Sequence, residues 1–314
     1  MKKLLSIAIA AAVSAPMAVN ADTTIYGLID NALTHNDNGT TESWDVEQGN
    51  GVSRLGVKGN EDLGNGLKAI FQYEWATQTT EGGSTQTGFT NRLGYVGLTG
   101  GFGTAAIGRQ WTPYYGAVGK TDIMNAPAAG FRQNLNTFRT GNALAYMTPN
   151  MSGFSAAAAL VIDQAGGADT EDTVDSLNLA LKYDNGPLSV GLGYHAAEAN
   201  SAYNATAADL DQWGLSGKYN FGNVAIVGAW EDQDFGAADQ EAWSLGAEAY
   251  FGNNTVRVLF GETDRDAAAD TDAWALGVQH NFSKRTRVYA EYANQDTAGS
   301  ADQSEFALGL RHDF

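Results

Sequence analysis

The sequence predicts an all-β fold, a sixteen-stranded antiparallel transmembrane β-barrel. Three observations predict it. Apolar residues alternate with small or polar ones at period two, the connections alternate between short turns and long polar stretches, and aromatic residues bracket four strands at a constant interval.

Composition narrows the field first. With 36 acidic against 18 basic side chains among 314 residues, a nucleic-acid binder is not expected, because neutralising phosphates needs an excess of Lys and Arg. The chain has no cysteine, which removes disulfide scaffolds, thiol catalysis and cysteine-based metal sites. An apolar share of 43% with only 17% charge gives the chain much to bury and speaks against disorder.

The first element is an export segment. Lys2 and Lys3 precede an apolar run from Leu4 to Val13, and Val19-Asn20-Ala21 supplies a small-residue cleavage site. The run is too short to span a bilayer as a helix. Residues 1–21 are therefore expected to be a signal peptide, and residues 22–314 the barrel domain.

The strands follow in order. Leu177, Leu179, Leu181 and Tyr183, then Leu188, Val190, Leu192 and Tyr194, alternate with Asn178, Ala180, Lys182, Ser189 and His195. That is the strand signature. Seven short turns are expected near 62–66, 100–101, 149–153, 184–187, 220–223, 252–254 and 281–285. Eight long connections are expected over 36–51, 77–91, 112–138, 163–175, 196–210, 232–240, 263–271 and 295–302. Fifteen connections join sixteen strands, with short periplasmic turns on one rim and long extracellular loops on the other.

Four strands gauge the membrane. Trp213 and Phe221, Trp243 and Phe251, Trp274 and Phe282, and Phe306 and Phe314 are each eight residues apart, so each pair shares a strand face. Eight residues span roughly 26 Å along a strand, or near 20 Å along the membrane normal at a tilt of about 40°, close to the apolar band of an outer-membrane barrel. A soluble sandwich gives no reason for that interval. It also leaves the small, polar opposite faces, such as Gly214-Ser216-Lys218-Asn220 and Ala275-Gly277-Gln279-Asn281, without a role that a water-filled lumen supplies.

Charge is concentrated on one rim. The long loops other than 112–138 carry 20 acidic residues and one base, Arg265. Such loops are either mutually repelling, solvated tips or an acidic mouth that enriches cations or bridges divalent ions to anionic lipid.

Several stretches carry a family resemblance. Ser53-Arg54-Leu55-Gly56-Val57-Lys58-Gly59 with Glu61-Asp62-Leu63-Gly64, Arg92-Leu93-Gly94-Tyr95-Val96-Gly97-Leu98, Gly108-Arg109-Gln110-Trp111, and the ending Leu308-Gly309-Leu310-Arg311-His312-Asp313-Phe314 resemble the trimeric general-diffusion porins of Gram-negative outer membranes. The resemblance implies a homotrimer in outer-membrane lipid and lipopolysaccharide, passing small hydrophilic solutes, with no cofactor. It also implies a third loop folded into the lumen, bearing acids opposite an arginine cluster on the wall. Arg54 and Arg92 resemble the wall arginines, and Thr121-Asp122-Ile123-Met124 resembles the start of the acidic loop segment. The terminal strand, with Phe306, Leu308, Leu310 and Phe314 outward, resembles the signal read by the barrel assembly machinery. Two positions depart from the pattern. Asn125-Ala126-Pro127-Ala128-Ala129-Gly130 lacks a second loop carboxylate, and Leu28 or Asp30 stands where a first-strand base is often found.

Strand parity orients the basic residues. If Leu93 and Tyr95 face lipid, Arg92 faces the lumen, and Leu55 and Val57 turn Arg54 and Lys58 inward. An arginine in the lipid band costs about 2 to 4 kcal/mol at mid-depth. Arg139 is inward by the same reasoning, and Arg132 in the third loop joins the expected constriction with Asp122. Arg109 shares parity with Ile107 and is expected at a subunit interface, where the small or apolar outward residues Ile25, Gly27 and Gly59 let barrels pack closely.

The four histidines, His35, His195, His280 and His312, form no metal-ligand spacing, and no nucleophile motif or phosphate loop is present. The expected function is a general-diffusion channel; a substrate-selective channel, an adhesin or structural barrel, and a barrel enzyme are the alternatives. Wall arginines against rim acids predict weak selectivity that moves toward cations as salt falls.

Overall fold

A computed structural model describes residues 22–50, 52–80, 88–126, 138–162, 174–199, 204, 208–236 and 238–314; the expected signal segment, 1–21, lies outside them. The strands are β1 (Asp22–Asp37), β2 (Glu42–Gln48), β3 (Arg54–Gly64), β4 (Leu67–Thr77), β5 (Phe89–Gly100), β6 (Gly103–Trp111), β7 (Arg139–Met147), β8 (Phe154–Ile162) and β9 (Val174–Asn185). They continue as β10 (Leu188–Ala197), β11 (Leu210–Asn220), β12 (Val224–Asp234), β13 (Asp239–Phe251), β14 (Asn254–Arg265), β15 (Thr271–Asn281), β16 (Thr286–Thr297) and β17 (Gln303–Asp313). Between β6 and β7 lie a short helix, α1 (Pro113–Val118), and a 3₁₀ turn, Gly119–Thr121.

From β3 to β17 successive strands pair antiparallel, and β1 pairs with β17 to close the barrel. Closure leaves no sheet edge, the condition for spanning hydrocarbon with strands. On its other side β1 pairs with β3 through Asp22–Leu28 and with β2 through Asn31–Asp37. The two short strands therefore share one position, and seventeen strands make a sixteen-stranded wall. The expected loop over 36–51 is corrected accordingly, since its middle, Glu42–Gln48, is β2 hydrogen-bonded to β1.

The turns fall on the expected rim. At the first of them Asn65 (φ 54°) and Gly66 (φ 79°) both adopt positive φ, the pair whose twist matches that of the strands it joins. On the opposite rim three connections expected to be long are tight. The strands run on to leave only 235–238, 266–270 and 298–302 between them. Alternation continues past the membrane there, so the acids near these connections are presented on strand ends in cross-strand register, as with Asp232↔Glu241 and Asp234↔Asp239.

The outward rows match the sequence reading. Trp213, Trp243, Trp274 and Phe306 form one aromatic level and Phe221, Phe251, Phe282 and Phe314 the other, all exposed. Small residues fill the inner rows, but part of that wall is covered by protein. Gly191, Gly193 and Gly214 lie against Ala117, Tyr114 and Val118 of the third loop, and a Cβ on any of them would collide with it. The Gly214 and Ser216 face therefore seats α1 and does not simply line water.

Candidate pore constriction

The third loop is fastened to the inner wall along its described length. Thr112 caps α1 by accepting from the Tyr115 amide, with Pro113 at the first helical position. Tyr114 is almost wholly buried. Its amide donates to Asn178 (2.6 Å) and its hydroxyl to Glu231 (2.7 Å), which also accepts from Gln212 (3.1 Å). The Ser216 hydroxyl donates to the Ala117 carbonyl at 2.7 Å. Farther along, Met124 meets Gly277, and the amides of Asn125 and Ala126 donate to Glu291 at 2.8 and 2.7 Å. The Asn50 amide of the first loop donates to the Asn125 carbonyl at 2.8 Å. The loop thus runs from the β9–β11 wall to β16, inside the barrel, as the resemblance implied.

Asp122 lies on this loop. Its carboxylate accepts from the Asn50 side chain (2.9 Å) and from the Tyr115 hydroxyl (3.0 Å), so two neighbours hold it in one orientation. Nearby Lys120 has its ammonium pushed below the ordinary lysine range by burial, and it donates to the Ala117 carbonyl.

The wall arginines come together on adjacent strands. Arg92 Nε donates to Glu74 at 2.7 Å, Arg54 approaches the same carboxylate at 3.8 Å, and the Tyr26 hydroxyl donates to its other oxygen at 3.0 Å. Arg139 and Arg92 lie over the Trp111 ring at 4.8 and 5.9 Å from its centroid. The Arg139 Nε is buried with no hydrogen-bond partner among the described residues. Lys58 lies 5.0 Å from the centre of the Tyr26 ring. Arg54 and Arg92 therefore share one buried carboxylate while Arg139 stands beside them over Trp111, so three guanidinium groups gather around a single carboxylate with positive charge to spare.

Arg92 faces inward, but not for the expected reason. Leu93 is 2% exposed and the Tyr95 hydroxyl donates to Gln72, so both point inward, while Val96 is 59% exposed on the outer face. The alternation is broken by a bulge. Trp75 pairs with Asn91 and Glu74 with Leu93, which makes Arg92 an extra residue turned to the lumen. The assumption that Leu93 and Tyr95 face lipid is thus corrected. Arg109 pairs with Gly94, between the outward neighbours Tyr73 and Val96, and is half-buried. Arg132 lies outside the described residues.

Sequence reasoning missed several charged groups. Arg311 stands across from Asp30 in the β1–β17 register, 3.9 Å from its carboxylate and 2.8 Å from that of Asp313. The base missing from the first strand is thus supplied by the last one. Lys218 and Arg257 converge on Glu248, and Arg287 approaches Asp313. All were legible by parity, since Arg311 alternates with the outward Leu310 and His312, and Glu74 with Tyr73 and Trp75. Reading them needed the question of which charges are inward to be asked of every strand.

Comparisons agree with this geometry. The Gram-negative porin family profile matches residues 6–300. The outer membrane porin protein 32 of Delftia acidovorans is 32% identical across 99% of this chain and 95% of its own. The major outer membrane protein P.IB of Neisseria lactamica is 28% identical across 100% of this chain and 99% of its own. Among solved structures, an anion-selective porin from Comamonas acidovorans superposes with a TM-score of 0.81 at 26% identity, covering 94% of this chain and 100% of that one. OmpF of Salmonella typhi shares the fold at a TM-score of 0.75 and 16% identity, over 93% of this chain and 97% of its own. The closed sixteen-stranded barrel, its aromatic levels and its inward third loop are those of a passive channel integral to the outer membrane, and the chain belongs to the Gram-negative porin family.

Proposed function

We propose that Arg54, Arg92 and Arg139, with Lys58 beside them and Asp122 and Arg132 on the third loop, form the constriction of this general-diffusion porin and bias it weakly toward small anions. The observation that carries the reading is the sharing of one carboxylate, Glu74, by Arg54 and Arg92, while Arg139 has no carboxylate within salt-bridge distance among the described residues. Similarity to a relative described as anion-selective supports the sign. Passive diffusion asks nothing catalytic of these residues. The same reading takes residues 1–21 as a signal peptide, and the ending Phe306, Leu308, Leu310, Phe314 as the mark used by the barrel assembly machinery. It takes the working unit as a homotrimer in lipid and lipopolysaccharide, with Arg109 at the subunit interface; one structural neighbour is described as a trimer form.

Reversal potentials across a potassium chloride gradient test the constriction. The expected result is a modest anion preference that weakens as mean salt falls, because the Debye length grows from about 10 Å at 0.1 M to about 30 Å at 0.01 M and brings the rim acids into range. A cation preference at 1 M salt refutes the assignment.

A further inference from the structure

The lumen holds a second feature that ion passage does not require. Between the start of the third loop and the wall of β4 to β9 lies a largely apolar recess of about 270 Å³, lined among others by Ile70, Tyr95, Trp111, Pro113, Ala145 and Lys182. A cavity of about 150 Å³ already accepts a benzene ring, so this one has room for a ring and a short substituent. Its walls are positions where period-two alternation in a porin lumen calls for polar or small residues, yet Ile70, Tyr95 and Trp111 are large and apolar. Trp111 is shared with the arginine cluster. The guanidinium carbons of Arg139 and Arg92 lie 4.8 and 5.9 Å from its ring centre, so the recess adjoins concentrated positive charge.

We infer that this recess is a solute subsite for aromatic carboxylates, the ring lying against Tyr95, Pro113 and Ile70 and the carboxylate turned to Arg139 and Arg92. An apolar wall beside excess guanidinium charge matches that class and neither half alone: inorganic anions gain nothing from the recess, and neutral aromatics gain nothing from the arginines. The solute is held transiently on its way past the loop. The carboxylate end rests on the constriction proposed above, whereas the ring end is independent of it.

Chloride current through the purified channel in planar bilayers, titrated with phenylacetate, acetate or benzyl alcohol, separates the two. Removing about 60 Å² of ring surface from water suffices for a tenfold gain, so phenylacetate is expected to reduce the current at about tenfold lower concentration than acetate, and benzyl alcohol to be weaker than phenylacetate. Ala145→Phe, which fills the recess, and Tyr95→Ala, which removes a wall, are each expected to bring the phenylacetate to acetate ratio toward one. That ratio is read within channels that conduct chloride, so a folded pore is assured in every comparison. Arg139→Ala is expected to weaken both acids together. Equal potency of phenylacetate and acetate in the unmodified channel, a ratio that survives both recess variants, or benzyl alcohol as potent as phenylacetate overturns the subsite; full potency of both acids in Arg139→Ala overturns the constriction reading instead.

Discussion

Phe314 closes the barrel on Gly27. The two residues exchange both backbone hydrogen bonds at 3.0 Å, and the Phe314 ring covers Gly27 so closely that a Cβ there would meet it at 2.5 Å. Two hydrogen bonds are worth about 1 kcal/mol each, a small share of a wall closed along ten paired positions of β1 and β17. Deleting Phe314 is therefore expected to cut the amount of folded protein at the cell surface severely while shifting the urea midpoint of refolded barrels only slightly. Normal surface levels of the truncated chain refute the assembly role.

The arginine cluster predicts opposite effects from two neighbours. Arg92→Ala removes charge at the waist and is expected to move the reversal potential toward cation preference. Glu74→Gln removes the carboxylate shared by Arg54 and Arg92 and is expected to move it toward anions. Stranding a buried charge costs about 3 to 5 kcal/mol, and the adjoining lumen moderates that for arginines. Reversal potentials that move the same way in both variants exclude an electrostatic origin.

Gly191 bears on the seat of the third loop, because a Cβ there would strike the Ala117 carbonyl. The wall strand is fixed by pairing on both sides, so the loop must yield. Gly191→Val is expected to push α1 into the lumen and lower single-channel conductance, at an overpacking cost of about 1 to 3 kcal/mol. Conductance equal to that of the unmodified protein shows that α1 is not held against this wall.

Association is read from mass. Ile25, Val96 and Ile107 are more than half exposed on one side of the barrel, beside outward Gly59 and Gly94. A trimer is expected in mild detergent, and Gly94→Trp, which adds bulk to that face where a Cβ meets only the Tyr73 ring at 3.5 Å, is expected to shift it toward monomers. Light scattering that finds only monomers of the unmodified protein refutes the trimer.

The sequence by itself determined the wall. Alternation, turn chemistry and the eight-residue aromatic interval are local or periodic properties, and a membrane permits only closed strands to express them; Trp213, Trp243 and Trp274 stand outward where their parity put them. Parity also turned Arg54 and Lys58 inward. Tertiary structure decided the rest. The bulge at Arg92 is a mismatch between β4 and β5 that neither strand records alone, and Leu93 and Tyr95 consequently face the opposite way from their reading in isolation. The partnership of Asp30 with Arg311 joins residues 281 positions apart and exists only once β17 closes on β1. The seat of Tyr114 among Gly193, Gly214 and Glu231 likewise depends on which wall the third loop meets after it turns inward. Periodicity fixes the face of the wall on which a side chain stands, but the charge a passing solute meets depends on which side chains the closed barrel sets side by side.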